Sequence, residues 1–206
     1  MKYDAVVFDL LTALLDSWTL WNDVAGSAED GMKWRRRYLE ITYGCGAYRP
    51  YETLVREAAR DTGFPENFGA ELELRWAELK PWPEARTILR KIPVPLAVAT
   101  NCSVRLGRQA AASVGVPFQL VETAESIGFY KPRPEVYRAV LRKLGTRPER
   151  TLFVAGSAAD VPGAKSVLFR SYSSLDIDTV FTFEPASGFG TRVYVTRPPL
   201  SAPATT

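Results

Sequence analysis

The chain has 206 residues, of which 46% are hydrophobic and 24% charged, with a formal net charge of +3. This describes a globular protein with one main core and room for a small inserted subdomain. It has no histidine, which excludes Ser-His-Asp and Cys-His catalysis and histidine metal centres and leaves carboxylates, Lys, Arg, hydroxyls and amides to carry any chemistry.

Residues 3–9, YDAVVFD, read as a buried strand, short, apolar and β-branched-rich. The strand ends in Asp9, and a second carboxylate, Asp16, follows six mostly apolar residues later. An aspartate there is either a turn or N-cap residue or a nucleophile at the carboxyl edge of a parallel sheet, where open α/β folds hold their ligands. Asp4 interrupts the apolar segment a signal peptide would need, and no apolar run approaches the ~20 residues of a bilayer span.

Residues 16–81 carry four helical patterns: SWTLWNDVAG, GMKWRRRYLEITYG, YETLVREAARDTG and NFGAELELRWAEL. That is too long for one crossover and predicts a helical insertion, or cap, after the first strand. The basic cluster Arg35-Arg36-Arg37 lies in this segment, without the longer basic stripe or interleaved aromatics of a nucleic-acid surface. Pro81 and Pro83 in KPWPEA mark the return to the core, ahead of a helix in EARTILRKI.

Beyond it, strands at 94–100 (VPLAVAT), 117–123 (PFQLVET) and 151–156 (TLFVAG) alternate with helices at 103–115 and 133–145, each ending in Gly. The alternation predicts an α/β fold, a doubly wound, Rossmann-like parallel sheet with right-handed crossovers. The expected organisation is a core of residues 1–15 and 82–206 with a helical cap of residues 16–81. The tail from about residue 167 alternates enough for one or two strands, and its last ten residues read as disordered. Two cysteines, Cys45 and Cys102, have no metal-like spacing, so the expectation is reduced thiols in a cytoplasmic protein with neither nucleic-acid nor membrane partners.

Four motifs fall at the strand ends in order: FDLLTALLDS, ATNCS, GFYKPRPEVY and FVAGSAADVPGAK. With the insertion after the first, they make residues 3–165 resemble the haloacid dehalogenase superfamily of hydrolases. The resemblance implies that Asp9 is the nucleophile, that Thr100 and Asn101 are the second-motif residues, that Lys131 is the third-motif lysine and that Asp160 is the fourth-motif carboxylate. Read singly, Thr100 could cap the next helix, Asp160 could sit in a first helical turn, and Lys131 could be a solvated lysine.

Most members of that superfamily are Mg-dependent phosphatases with an acid two residues after the nucleophile, here Leu11, and a metal-holding Asp where Gly156 stands. A phosphatase would therefore lack its general acid and much of its metal site. A carbon–halogen bond asks for neither, since halide leaves as a stable monoanion. The closer resemblance is thus to the L-2-haloacid dehalogenases, which need no cofactor. It implies that Arg35, after Trp34, receives halide and orients an anionic small-molecule substrate, with Arg36 taking the role if the register shifts by one. Leu11, Trp18, Trp34, Asn101 and Ser157 are the further substrate-binding residues, and each Trp has cap packing as an equal alternative.

The sequence departs from that branch in placing Thr12-Ala13 where Gly-Thr is usual, which removes a hydroxyl from position 13 and loosens the expected hold on Asp9. It also has Ala155-Gly156-Ser157 where Ser-Ser-Asn is usual. Two alternatives stay open: a degenerate phosphatase with residual Mg binding at Asp9 and Asp160, and a non-catalytic relative that binds a small anion or a protein. A homodimer is suggested by the resemblance alone.

Overall fold

A computed structural model describes residues 3–157 and 160–168, and the backbone of residues 180–183 and 191–195. Strand β1 (Ala5–Phe8) is buried along its whole length and lies inside the sheet. It pairs in parallel with β2 (Leu96–Thr100) on one side and β4 (Thr151–Ala155) on the other, and β3 (Leu120–Thr123) continues the parallel sheet beyond β2. The chain thus runs outward from β1 through β2 to β3 before returning to β4 on β1's other side. This is a topological switch point, and it falls at the carboxyl end of β1.

Period-two alternation divides the core between the sheet faces. Val6, Phe8 and Val98 belong to one cluster with the helical insertion, while Val7, Ala97, Ala99 and Phe153 belong to another with Val136, Tyr137 and Ala164. The second face is covered by α8 (Pro134–Leu144) and α9 (Asp160–Leu168).

Between β1 and β2 lie α1 (Ser17–Ala25), α2 (Ala28–Gly44), α3 (Tyr51–Asp61), α4 (Asn67–Leu74) and the short α5 (Ala85–Leu89). The first four follow the sequence patterns closely. Asp16 caps α1, accepting from the Thr19 amide at 3.1 Å and the Thr19 hydroxyl at 2.7 Å, so this carboxylate is structural. Gly26 ends the helix in the left-handed region at φ 85°, and Ser27 caps α2. Helix α2 packs between α1 and α3. Helix α6 (Val104–Ser113) follows β2, and the four-residue α7 (Ala124–Ile127) follows β3.

The tail supplies two strands, β5 (Val180–Phe183) and β6 (Thr191–Val195), and β6 joins β4 antiparallel. The expectation of one or two strands there is met, and the last ten residues lie outside the described residues.

Candidate active site

Register brings the strand ends level: Phe8 lies opposite Val98 and Val154, and Thr100 opposite Thr123. Asp9, Asn101 and Gly156, each one residue past its strand, therefore open onto the same edge. The Asp9 amide donates to the Val154 carbonyl at 2.9 Å, which holds the start of the loop against β4.

Lys131 arrives from the loop ahead of α8 and is only 2% exposed. Its Nζ donates to Asp9 Oδ1 at 2.7 Å and to Asp160 Oδ2 at 3.0 Å. Asp160, the first residue of α9, also receives the Tyr137 hydroxyl, shared between its backbone carbonyl at 3.2 Å and Oδ1 at 3.3 Å. Burial pushes the Asp9 carboxyl upward, but Lys131 and the Thr12 hydrogen bonds outweigh it and hold Asp9 below the usual carboxylate value. Asp160 moves the opposite way. Burial raises it, Lys131 pulls it down, and the neighbouring Asp9 charge helps keep the net shift upward. Burial alone would lower the Lys131 ammonium, and the two carboxylates hold it above its ordinary value. Two carboxylates with separated proton affinities can do different work, one as a permanent anion and the other as a proton acceptor.

Asn101 clamps the lysine's backbone. Its Nδ2 donates to the Lys131 carbonyl at 3.0 Å and its Oδ1 accepts from the Lys131 amide at 2.7 Å, leaving one amide hydrogen for another acceptor. Thr100 is buried, and its hydroxyl accepts from the Cys102 thiol at 3.8 Å. Ser157 is half-buried, and the hydroxyl of Tyr43, in the last turn of α2, is pushed up by burial and by Asp160 and pulled down by Ser157 and Lys131.

The three arginines separate by helical phase. Arg36 is exposed on the outer face of α2. Arg37 pairs with Asp61 and Glu40. Arg35 is buried, donates from one guanidinium nitrogen to Ser17 Oγ at 2.9 Å, and stacks on Trp18 at 3.9 Å from the ring centroid. Among the described residues Arg35 forms no salt bridge. Burial lowers its pKa, opposed by nearby groups that include Asp9.

Trp34 requires a correction. It is fully buried, donates from its indole to the Val55 carbonyl at 2.9 Å, and packs on Trp21 and Phe68. Lying one residue from Arg35, about 100° around the helix, it faces the interior of the insertion and offers no surface to a ligand. Trp18 is half-buried beside Arg35, and Leu11 is half-buried against the core.

The expected loosening around Asp9 is also corrected. Thr12 supplies a hydroxyl from one position earlier, donating to Asp9 Oδ2 at 2.7 Å, with its amide on the same oxygen at 3.3 Å. Sequence reasoning passed over Ser17 and Tyr43, and no motif marks either.

A hard divalent cation of the kind used by the phosphatases would have Asp9 and Asp160 as its side-chain ligands here. The site offers two carboxylates, both already bonded to Lys131, while Leu11 brings no side-chain oxygen. A side chain at Gly156 would collide with Asp9 and Thr12. Among the described residues no group of three or more His, Cys, Asp or Glu is placed to hold a metal, and no helix is long and apolar enough to cross a membrane.

The sequence pattern of the haloacid dehalogenase-like hydrolases matches residues 3–167. The chain belongs to that family. Among curated family members, the (S)-2-haloacid dehalogenase of Xanthobacter autotrophicus is 29% identical over 183 residues, covering 80% of this chain and 72% of that enzyme. The (S)-2-haloacid dehalogenase 4A of Burkholderia cepacia is 29% identical over 187 residues, covering 81% of this chain and 80% of that enzyme. The solved structure of the L-2-haloacid dehalogenase from Xanthobacter autotrophicus with chloropropionic acid covalently bound matches with a TM-score of 0.70 at 27% identity, over 80% of this chain and 74% of that one. The α/β fold of those dehalogenases is the fold of this chain.

Proposed function

We propose that the protein hydrolyses the carbon–halogen bond of a short 2-haloalkanoic acid to give a 2-hydroxy acid, through an ester on Asp9 and without a metal. The observation that carries this reading is a buried, ionised Asp9 near a buried Arg35 that makes no salt bridge among the described residues. The first can attack carbon, and the second has no carboxylate in direct contact. A buried cation with no ion-pair partner in contact is unfavourable, and an anionic substrate or released halide would pair with it. The similarity to two (S)-2-haloacid dehalogenases supports the substrate class, and the covalently bound chloropropionic acid in one relative supports an ester intermediate.

In this reading helices α1–α4 form a cap that brings Arg35 and Trp18 over the sheet edge. Arg35 orients the substrate and receives the halide. Asp9 displaces the halide from C2, and correct alignment supplies much of the rate. Lys131 holds Asp9 charged and in place, while Asn101 fixes the Lys131 backbone. Asp160 then takes a proton from the water that cleaves the ester, a role suited to its raised pKa. Leu11 brings no proton donor, and halide departure needs none.

The test is halide release from L-2-chloropropionate and bromoacetate in the presence of EDTA. Turnover unaffected by the chelator is the expected result. No release from either acid, with Mg-dependent cleavage of phosphate esters instead, would replace this reading with the phosphatase one.

A further inference from the structure

We propose that Thr12 is a catalytic residue of the second half-reaction, its hydroxyl and amide forming an oxyanion hole at Asp9 Oδ2, and that Gly156 lacks a side chain so that this hydroxyl has room. The inference rests on the ester mechanism proposed above and assigns to it a group that the sequence motif does not mark.

The two oxygens of Asp9 are not equivalent. Oδ2 accepts both Thr12 donors, the hydroxyl at 2.7 Å and the amide at 3.3 Å. A carboxylate oxygen has two lone-pair directions, and on Oδ2 both are engaged. Oδ1 accepts Lys131 Nζ at 2.7 Å, and among the described residues no second donor reaches it. The lone pair free to attack carbon is therefore on Oδ1, and the oxygen left as the ester carbonyl is Oδ2, already between two donors.

Those donors are held in advance. The Thr12 carbonyl accepts from the Trp82 indole at 3.1 Å, and the Asp9 amide is tied to β4. Ala13 is fully buried. A methyl placed on Gly156 would overlap Thr12 Oγ1 and Asp9 Oδ2 and stand 2.9 Å from the Ala13 amide. The hydroxyl at position 12 and the bare backbone at position 156 thus occupy one volume between them.

The steps balance as follows. Oδ1 bonds to C2 as the carbon–halogen bond breaks, and its electron pair leaves with the halide. Water adds to Cγ and gives a proton to Asp160, while the carbonyl pair moves onto Oδ2, where Thr12 stabilises it. Collapse breaks the Cγ–Oδ1 bond, the departing alkoxide takes the proton back from Asp160, and the remaining carboxyl proton passes to solvent. Donors fixed where charge develops stabilise this step more than the first, in which Asp9 loses charge. Removing one such donor slows its step about 100- to 1,000-fold.

Thr12→Ala, Thr12→Ser and Thr12→Val separate the half-reactions by rapid-quench halide release and intact-protein mass on L-2-chloropropionate. Thr12→Ala is expected to release one equivalent of halide in a burst and then stall, with most of the protein carrying one carboxyalkyl group. Thr12→Ser should return hydrolysis to within a few-fold of the wild type. Thr12→Val, which keeps the volume and removes the hydroxyl, should trap the same adduct and answers the question if Thr12→Ala does not fold. If burst and turnover fall together in these variants with no adduct, Thr12 only supports the nucleophile and the inference is wrong. A wild type that turns over beside variants without adduct overturns this inference alone, whereas a wild type that releases no halide removes the ester mechanism and this step together.

Discussion

Replacing Arg35 by Met should remove activity without loosening the fold. In the folded protein the guanidinium gains a hydrogen bond to Ser17 and a stacking contact with Trp18. These contribute about 1.5–3 kcal/mol, the donor being charged, and roughly 0.5–2 kcal/mol. Against them stands the burial of a cation with no salt-bridge partner among the described residues, which costs several kcal/mol even after relaxation. Met has comparable reach and no charge, so Arg35→Met should leave stability within about 1 kcal/mol of the wild type or raise it, a Tm change of roughly 2–4 °C per kcal/mol for a chain of this size. At the site the same change removes charge-assisted hydrogen bonds to the anionic substrate, each about 1.5–3 kcal/mol, or roughly 10- to 150-fold in kcat/KM. Urea unfolding and halide release, measured on the same preparation, read both quantities. A variant destabilised by more than about 3 kcal/mol with kcat/KM per folded molecule unchanged would refute the argument and make Arg35 a packing residue.

Lys131→Met should behave in the opposite way, because it leaves Asp9 and Asp160 buried together without their shared cation. Removing one member of a buried ion pair costs about 3–5 kcal/mol, so its urea midpoint should fall along with halide release, and an unchanged midpoint would contradict the ion-pair account. The pH profile follows from Asp160. As a base it must be unprotonated, so turnover falls as pH drops through its pKa, which lies above the ordinary carboxylate value, while Asp9, held below that value, is still ionised there. The Tyr137 hydroxyl lowers the Asp160 pKa, so Tyr137→Phe should move the acid limb of kcat to higher pH, and a limb that stays in place would show that Asp160 is not the group titrating.

The strands and the insertion were legible because each motif sits where an apolar run stops and because four helical patterns in succession cannot belong to one crossover. The convergence of Asp9, Lys131 and Asp160 followed from placing all four strand ends on one edge, which β-sheet register then aligns. What the sequence could not convey depends on direction in space. Position 13 lacks the usual hydroxyl, yet Thr12 reaches Asp9 because the loop after β1 turns it inward and Gly156 leaves room. Trp34 and Arg35 are adjacent in the chain, yet one belongs to the interior of the insertion and the other faces the charges. Asn101 reads as a ligand-binding amide, whereas most of its hydrogen-bonding capacity holds the Lys131 backbone. Ser17 and Tyr43 gave no signal, because only the packing of the helical insertion against the sheet edge brings them near the site.

The central claim is that Asp9 forms and loses an ester. A single turnover of L-2-chloropropionate in water enriched in heavy oxygen, with enzyme in excess, tests it most directly through peptide mass spectrometry of the segment containing Asp9. The account predicts that the label enters the Asp9 carboxylate and that the first 2-hydroxy acid formed is unlabelled. Label found only in the 2-hydroxy acid would mean that water attacks the substrate carbon itself, and Asp9 would then be no nucleophile.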